Sequence, residues 1–191
     1  MMFNRNIYIK RRNLLSQNLK KGFVLLLGHQ NSPMNFSHNA YRFVQDTNFL
    51  YYVGVDLPNC ACLIDVENNK TTFYMKETTI HDIIWIGKTK SIQSWGNDTG
   101  ADIIKNISKL ESDLKNKKNV MYPPQFRSEN KIQIHELLNV PLKEVEKNGF
   151  NGKTRPFFKK APAEVCRRAR LPGHTFCCFC VSPSFDHHEN P

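Results

Sequence analysis

Phe23-Val-Leu-Leu-Leu27 is a short apolar run closed on both sides by glycine, Gly22 and Gly28. It carries no polar alternation and is bounded by breakers, so it reads as a strand buried on both faces. The rest of the chain must cover it. From Asn4 to Lys20 the apolar Ile7, Leu14, Leu15 and Leu19 fall close to one helical face, with Arg11, Arg12, Gln17 and Lys20 largely elsewhere. Gly22 is expected to end that helix as a left-handed residue. His29 to Ala40, rich in Asn, Ser and Pro, reads as a loop.

Phe49-Leu-Tyr-Tyr-Val53 reads as a second strand, entered through the polar Arg42, Gln45, Asp46 and Asn48. Cys60 to Val66 and Thr71 to Met75, joined by Glu67-Asn-Asn-Lys70, predict a hairpin with Phe73 and Met75 on one face. Ile80 to Ile86 fits helix and strand alike. Ile103, Ile107, Leu110 and Leu114 are spaced 4, 3 and 4 apart, which predicts one surface helix over Thr99 to Lys117. Val120 to Tyr122 reads as a further strand stopped by Pro123-Pro124, and Glu129 to Asn139 as another helix. Strands and helices alternating in this order predict an α/β fold, a mixed β-sheet flanked by helices.

Length and charge bound the rest. A chain of 191 residues holds one ordinary domain plus an appendage. The domain is expected over 1–150. Past Gly149 no periodicity lasts, and 151–191 reads as a basic, cysteine-containing tail, irregular and poorly ordered, of the kind left by a frame change or a truncated gene. The net charge of +10 suggests nucleic acid, but seven Lys/Arg against three Asp/Glu lie from Lys153 onward, leaving +6 for the first 152 residues. That remainder is spread along helices with no RNP or zinc-finger pattern, which argues against a nucleic-acid partner.

No apolar run approaches the length of a membrane span, and the N-terminus lacks the apolar block of a signal peptide, so a cytoplasmic protein is expected. Its cysteines should then be reduced, with Cys60 and Cys62 packing as small apolar groups on one strand face. Cys177, Cys178, Cys180, His187 and His188 are possible zinc ligands, but adjacent cysteines depart from the spacing of structural zinc sites.

Several motifs in order carry a resemblance. They are Arg11-Arg12-x-x-Leu15, the buried strand, the Asn/Ser/Pro loop, Tyr41-x-Phe-x-Gln-Asp-x-Asn-Phe-x-Tyr-x-x-Gly54 with Pro58 following, and Ile84-Trp-Ile-Gly87. From about Phe3 to Asn139 the chain resembles the N-terminal domain of the Xaa-Pro aminopeptidases, the aminopeptidase P and prolidase group of creatinase-like metallopeptidases. The resemblance implies a mixed sheet flanked by helices. It also implies a parent activity that removes the first residue from peptides with proline second, using two divalent metals, usually manganese.

In that family the ligands, two aspartates, one histidine and two glutamates, belong to a separate C-terminal domain. The resemblance therefore implies a chain with no catalytic residue and no metal ligand of its own. His29, His38, His81 and His135 stand in no recognisable ligand spacing. What the family's N-terminal domain contributes is substrate access and oligomer contacts. By resemblance Trp85 lines the substrate path and the loop with His38 and Asn39 approaches it. This loop lacks the acidic residue that some members carry. Tyr41, Arg42, Gln45, Asp46, Asn48 and Gly54 are expected as a structural motif that fixes the turn. A stand-alone assembly module pairing with a full-length peptidase, or with itself, is the alternative reading.

Overall fold

The computed structural model describes residues 3–36, 39–77, 84, 87 and 90–146. Most of Ile80 to Ile86, the tail and its Cys/His group lie outside the described residues. In chain order the elements are α1 (Arg5–Leu19), β1 (Phe23–Leu27), α2 (Thr47–Tyr52), β2 (Cys60–Asp65), β3 (Lys70–Met75), α3 (Ile92–Thr99), β4 (Ile103–Asn106), a 3-10 turn (Ile107–Lys109), α4 (Leu110–Leu114), β5 (Val120–Met121) and α5 (Ser128–Leu138). The strands form one mixed sheet ordered β4-β3-β2-β1-β5. β1 with β2 and β2 with β3 are antiparallel, while β1 with β5 and β3 with β4 are parallel.

Alternation along the strands builds two cores, one on each face of the sheet. Val24, Leu26, Cys60, Cys62, Ile64, Phe73 and Met75 point to one face, where they meet Leu15 of α1 and Phe49, Tyr52 and Val53 of α2. Leu25, Leu27, Ala61, Leu63 and Tyr74 point to the other, under Leu110 and Leu114 of α4 and Ile134 of α5. The doubly buried strand, the β2–β3 hairpin and the Phe73/Met75 face are as the sequence predicts. So is the packing of Cys60 and Cys62, whose thiols burial pushes up to about 12, beyond reach of ordinary thiolate chemistry.

Four expectations are corrected. The apolar run after Asp46 is a helix, not a strand: the Asp46 carboxylate accepts from Phe49 N at 2.9 Å, which caps the first turn. Phe49, Leu50, Tyr52 and Val53 then lie buried at helical spacing. Gly54 at φ 78 follows as the left-handed residue after the cap, and a Cβ there would lie 2.1 Å from Tyr8 Cζ. The single helix over Thr99 to Lys117 is also broken. Gly100, at φ 64, closes α3 instead, and Asp102 locks to Thr71 through N···O at 2.9 Å and Thr71 N to Oδ2 at 2.7 Å. That double contact draws Ile103–Asn106 out as β4, and the helical spacing is realised only at Leu110 and Leu114.

The third correction is the end of α1. It stops at Leu19, where Lys20 takes φ 69 and its N–H reaches Ser16 O. Gly22 serves the approach of β1 to the β5 turn, since a Cβ would lie 2.9 Å from Asn119 O. The fourth is its buried face, which is Tyr8, Arg12, Leu15 and Ser16, whereas Ile7 is 38% and Leu14 49% exposed.

Arg12 is 2% exposed and inside the fold. Its Nη1 donates to Tyr52 O at 2.8 Å, and its Nη2 donates to Thr99 O at 2.9 Å and Gly100 O at 2.8 Å. These carbonyls end α2 and α3, where helices leave oxygens unpaired. Burial pulls the guanidinium down from the ordinary arginine value, against the pull of Cys62 and Asp102, and it stays charged. Arg12→Ala takes the guanidinium donors away from three carbonyls and is expected to cost about 3–5 kcal/mol in urea unfolding. Arg12→Lys, which keeps charge but not the fork, is expected to recover only part. A loss below about 1 kcal/mol for the alanine variant would show that the carbonyls find other donors.

On the opposite face Tyr74 OH and Lys105 Nζ each donate to Asp113 Oδ2 at 2.7 Å, joining β3, β4 and α4. Burial pushes the Asp113 carboxyl up, but the bonds from Lys105 and Tyr74 outweigh it and hold the group below the ordinary aspartate value. A carboxyl depressed in the folded state adds stability that is complete above its unfolded value, about 3.9, and is lost as pH falls through the folded one. Stability of the wild type is therefore expected to fall more steeply than that of Asp113→Asn below about pH 4. Parallel curves of urea midpoint against pH would remove Asp113 from the acid limb.

Candidate functional site

The chain leaves the sheet at the end of β1 and returns at Cys60, and the intervening segment holds most of the residues singled out in the sequence. Gln45 is its fixed point, at 3% exposure. Its Oε1 accepts from His29 N at 2.6 Å and Asp46 N at 3.0 Å, while its Nε2 donates to Leu57 O at 2.7 Å and Val55 O at 3.4 Å. One amide thus holds the start, middle and end of the excursion. Space is tight around it, since a Cβ on Gly28 would lie 3.1 Å from Gln45 Nε2 and 2.9 Å from Cys60 O.

Asp46 is the second fixed point. Its Oδ1 caps α2, Asn48 adds backbone and side-chain hydrogen bonds, and its Oδ2 stands 3.9 Å from His29 Nε2. Burial pushes the carboxyl up, opposed by the Phe49 amide and by His29. His29 Nδ1 lies 2.8 Å from Val44 O; a carbonyl only accepts, so Nδ1 carries the proton and Nε2 faces Asp46.

Gln45, Asp46 and Asn48 are brought together around the start of α2, where they organise a helix entry, while Gly54 stands past its other end. Tyr41 and Arg42 stand apart. Tyr41 is 61% exposed with its backbone N bonded to Ser32 O, and the exposed Arg42 makes no hydrogen bond or ion pair among the described residues. Asn39 closes the loop tip: its Nδ2 donates to Asn35 Oδ1 at 2.9 Å, beside the Pro33↔Ala40 bridge. His38 and Trp85 lie outside the described residues. Met34, Phe36, Tyr41 and Val44 all expose more than half their surface, at 51%, 57%, 61% and 55%, so the loop presents an apolar outer side.

The chemistry open to this arrangement is limited. Among the described residues no three His, Cys, Asp or Glu side chains stand close enough to hold an ion. A manganese pair needs hard oxygen donors converging on both ions, and these residues do not fit it. Two open recesses, of about 440 Å³ and 430 Å³, border α1 and are lined in part by Lys10 and Leu14, and by Arg5 and Lys90. Neither includes Tyr41, Arg42, Gln45, Asp46, Asn48, Gly54 or Asn39.

Residues 8–122 match the family model described as the N-terminal domain of aminopeptidase P. The chain belongs to that family. Among relatives, a probable Xaa-Pro aminopeptidase of Ajellomyces dermatitidis is 30% identical over 95 residues, covering 50% of this chain and 19% of its own. One of Fusarium vanettenii is 28% identical over 94 residues, covering 49% and 20%. The aminopeptidase P domain described here thus spans about a fifth of the curated relatives it matches. The low-pH form of aminopeptidase P from E. coli superposes with a TM-score of 0.62 at 14% identity, over 73% of this chain and 33% of that one. A variant of that enzyme in complex with substrate gives 0.62 at 16% identity, over 78% and 35%. The shared fold is the mixed sheet with helices on both faces.

Sequence pattern alone does not expose the roles of two residues, Arg12 on α1 and His29 in the excursion. A charged Arg12 is expected off the apolar face, and the sign against that is the Arg11-Arg12 pair inside an otherwise amphipathic helix. His29 sat in the loop without a partner, and the Asp46 cap three residues before Phe49 was the available sign. Gln45→Leu keeps the volume but strips two amides and two carbonyls of their partners. It is expected to lower unfolding free energy by at least about 2 kcal/mol, with the secondary structure seen by circular dichroism retained. A stability within about 0.5 kcal/mol of wild type would mean that water or backbone shifts replace the amide.

Proposed function

We propose that this aminopeptidase P domain is the non-catalytic N-terminal part of a Xaa-Pro aminopeptidase, shaping substrate access and oligomer contacts. The observation that carries the reading is the match of residues 8–122 to that domain. The state of its polar groups supports it, since Gln45 and the guanidinium ends of Arg12 are engaged with this chain's own backbone. Peptide hydrolysis is assigned to residues outside this set, with manganese as the metal and proline in the second substrate position. Trp85, His38 and Asn39 are assigned to substrate binding. The apolar outer side of the Met34 to Val44 loop is the surface for oligomer contact. Residues 1–150 make up the domain, 151–191 are a tail, and the setting is the cytoplasm. No helix among the described residues is long and apolar enough to cross a membrane.

The purified full chain, given a Xaa-Pro peptide and manganese, is expected to release no amino acid above the buffer rate. Turnover that copurifies with the chain through a second column and is lost on adding a chelator would overturn the assignment of catalysis elsewhere.

A further inference from the structure

Lysines far apart in the sequence meet at one end of the sheet. Lys20 and Lys21 precede β1; Lys115, Lys117 and Lys118 precede β5. The two turns touch. Phe23 N donates to Asn119 O at 3.2 Å, Gly22 has no room for a Cβ against that same oxygen, and Lys117 Nζ stands 4.1 Å from the centroid of the Phe23 ring. The charge that looks dispersed along helices in sequence is gathered by the parallel pairing of β1 and β5.

The partners available to these lysines are few. Lys20, Lys21 and Lys118 are exposed and form no ion pair among the described residues. Lys115 reaches Glu111 at 3.0 Å, with both side chains about two-thirds exposed at 68% and 65%, a pairing that water and salt weaken. Asp65 and Glu67 lie on the neighbouring hairpin; the Asp65 carboxylate is bonded to Asn68 and attracted by Lys117. Among the described residues, three cations on adjoining turns therefore remain without an ion pair.

We propose that this end of the sheet is a polyanion contact that takes the phosphate backbone of a nucleic-acid duplex without reading its sequence. Lysine is a point charge that suits phosphate, and no arginine fork stands in either turn to read a base edge. No large apolar side chain of these turns is exposed, so nothing is offered for base stacking or for insertion into a bilayer. The contact is independent of the peptidase reading.

Anisotropy of a short labelled DNA duplex of mixed sequence, titrated with the full chain, tests it. Three phosphate contacts predict log K falling with log salt at a slope of about −3 between about 50 and 200 mM, unchanged when the sequence is scrambled. K20E/K21E/K118E is expected to weaken binding by about tenfold or more at the lowest salt. The double variant K21E/K118E, which leaves the end of α1 untouched, moves the same way by a smaller factor. Two matched reversals, K10E/K109E/K143E on other exposed faces and R167E/R168E/R170E in the tail, are expected to weaken it less than about threefold. Equal losses in all three triples, or loss only in the tail variant, would overturn the site. Binding to phosphatidylserine vesicles as tight as to the duplex would overturn the nucleic-acid assignment, as would a slope near zero.

Discussion

A single buried guanidinium fixes how three helices meet on one face of this sheet. Arg12 stands on α1, and its donors end on Tyr52 O, Thr99 O and Gly100 O. Those oxygens close α2 and α3, so the cation sits where two helix ends direct their negative poles. Packing of α1 alone would leave the rotation of α2 and α3 open, since apolar contact is not directional. Three aimed hydrogen bonds remove that freedom. A lysine could supply the charge, but its ammonium cannot hold the planar fork that spans carbonyls from two segments 47 residues apart.

Around that point the fold uses close approach where it cannot use hydrogen bonds. Tyr8, buried one turn before Arg12, lies over Gly54, whose missing Cβ makes room for the phenol ring and whose φ of 78 ends α2. Arg11 adds a guanidinium 4.0 Å above the Tyr51 ring and a bond to Tyr51 O. The arginine pair and the tyrosine on α1 thus both read the end of α2. Gln45 and Asp46 hold its beginning, so this six-residue helix is fixed at each end by side chains from outside it. An isolated helix of that length would not persist in water.

Legibility in the sequence followed the kind of force involved. β1, the β2–β3 hairpin and α5 were readable because burial sets their period and Gly, Pro or Asn set their limits. The aromatic run of α2 favours a strand on propensity, and the hydrogen bond that Phe49 N donates to Asp46 decides otherwise. In β4 the opposite holds: Ile103 and Ile107 continue a helical spacing, but the contact of Asp102 with Thr71, 31 residues away, pulls the backbone straight. Arg12 and His29 leave only faint signs in the sequence, and the gathered lysines leave none. Their roles depend on neighbours supplied by the tertiary fold, and composition assigns such residues to solvent.

In the excursion between β1 and β2 the burial of polar and apolar groups is inverted relative to an ordinary surface loop. Gln45 is buried and satisfied, while Met34, Phe36, Tyr41 and Val44 are turned outward. A soluble loop has no energetic reason to expose four large apolar side chains, and a catalytic loop has no reason to bury its best hydrogen-bonding residue in its own backbone. Both features agree with a segment whose shape is held from underneath by its own polar groups. In this excursion the polar residues set the geometry, and the large apolar side chains are turned outward.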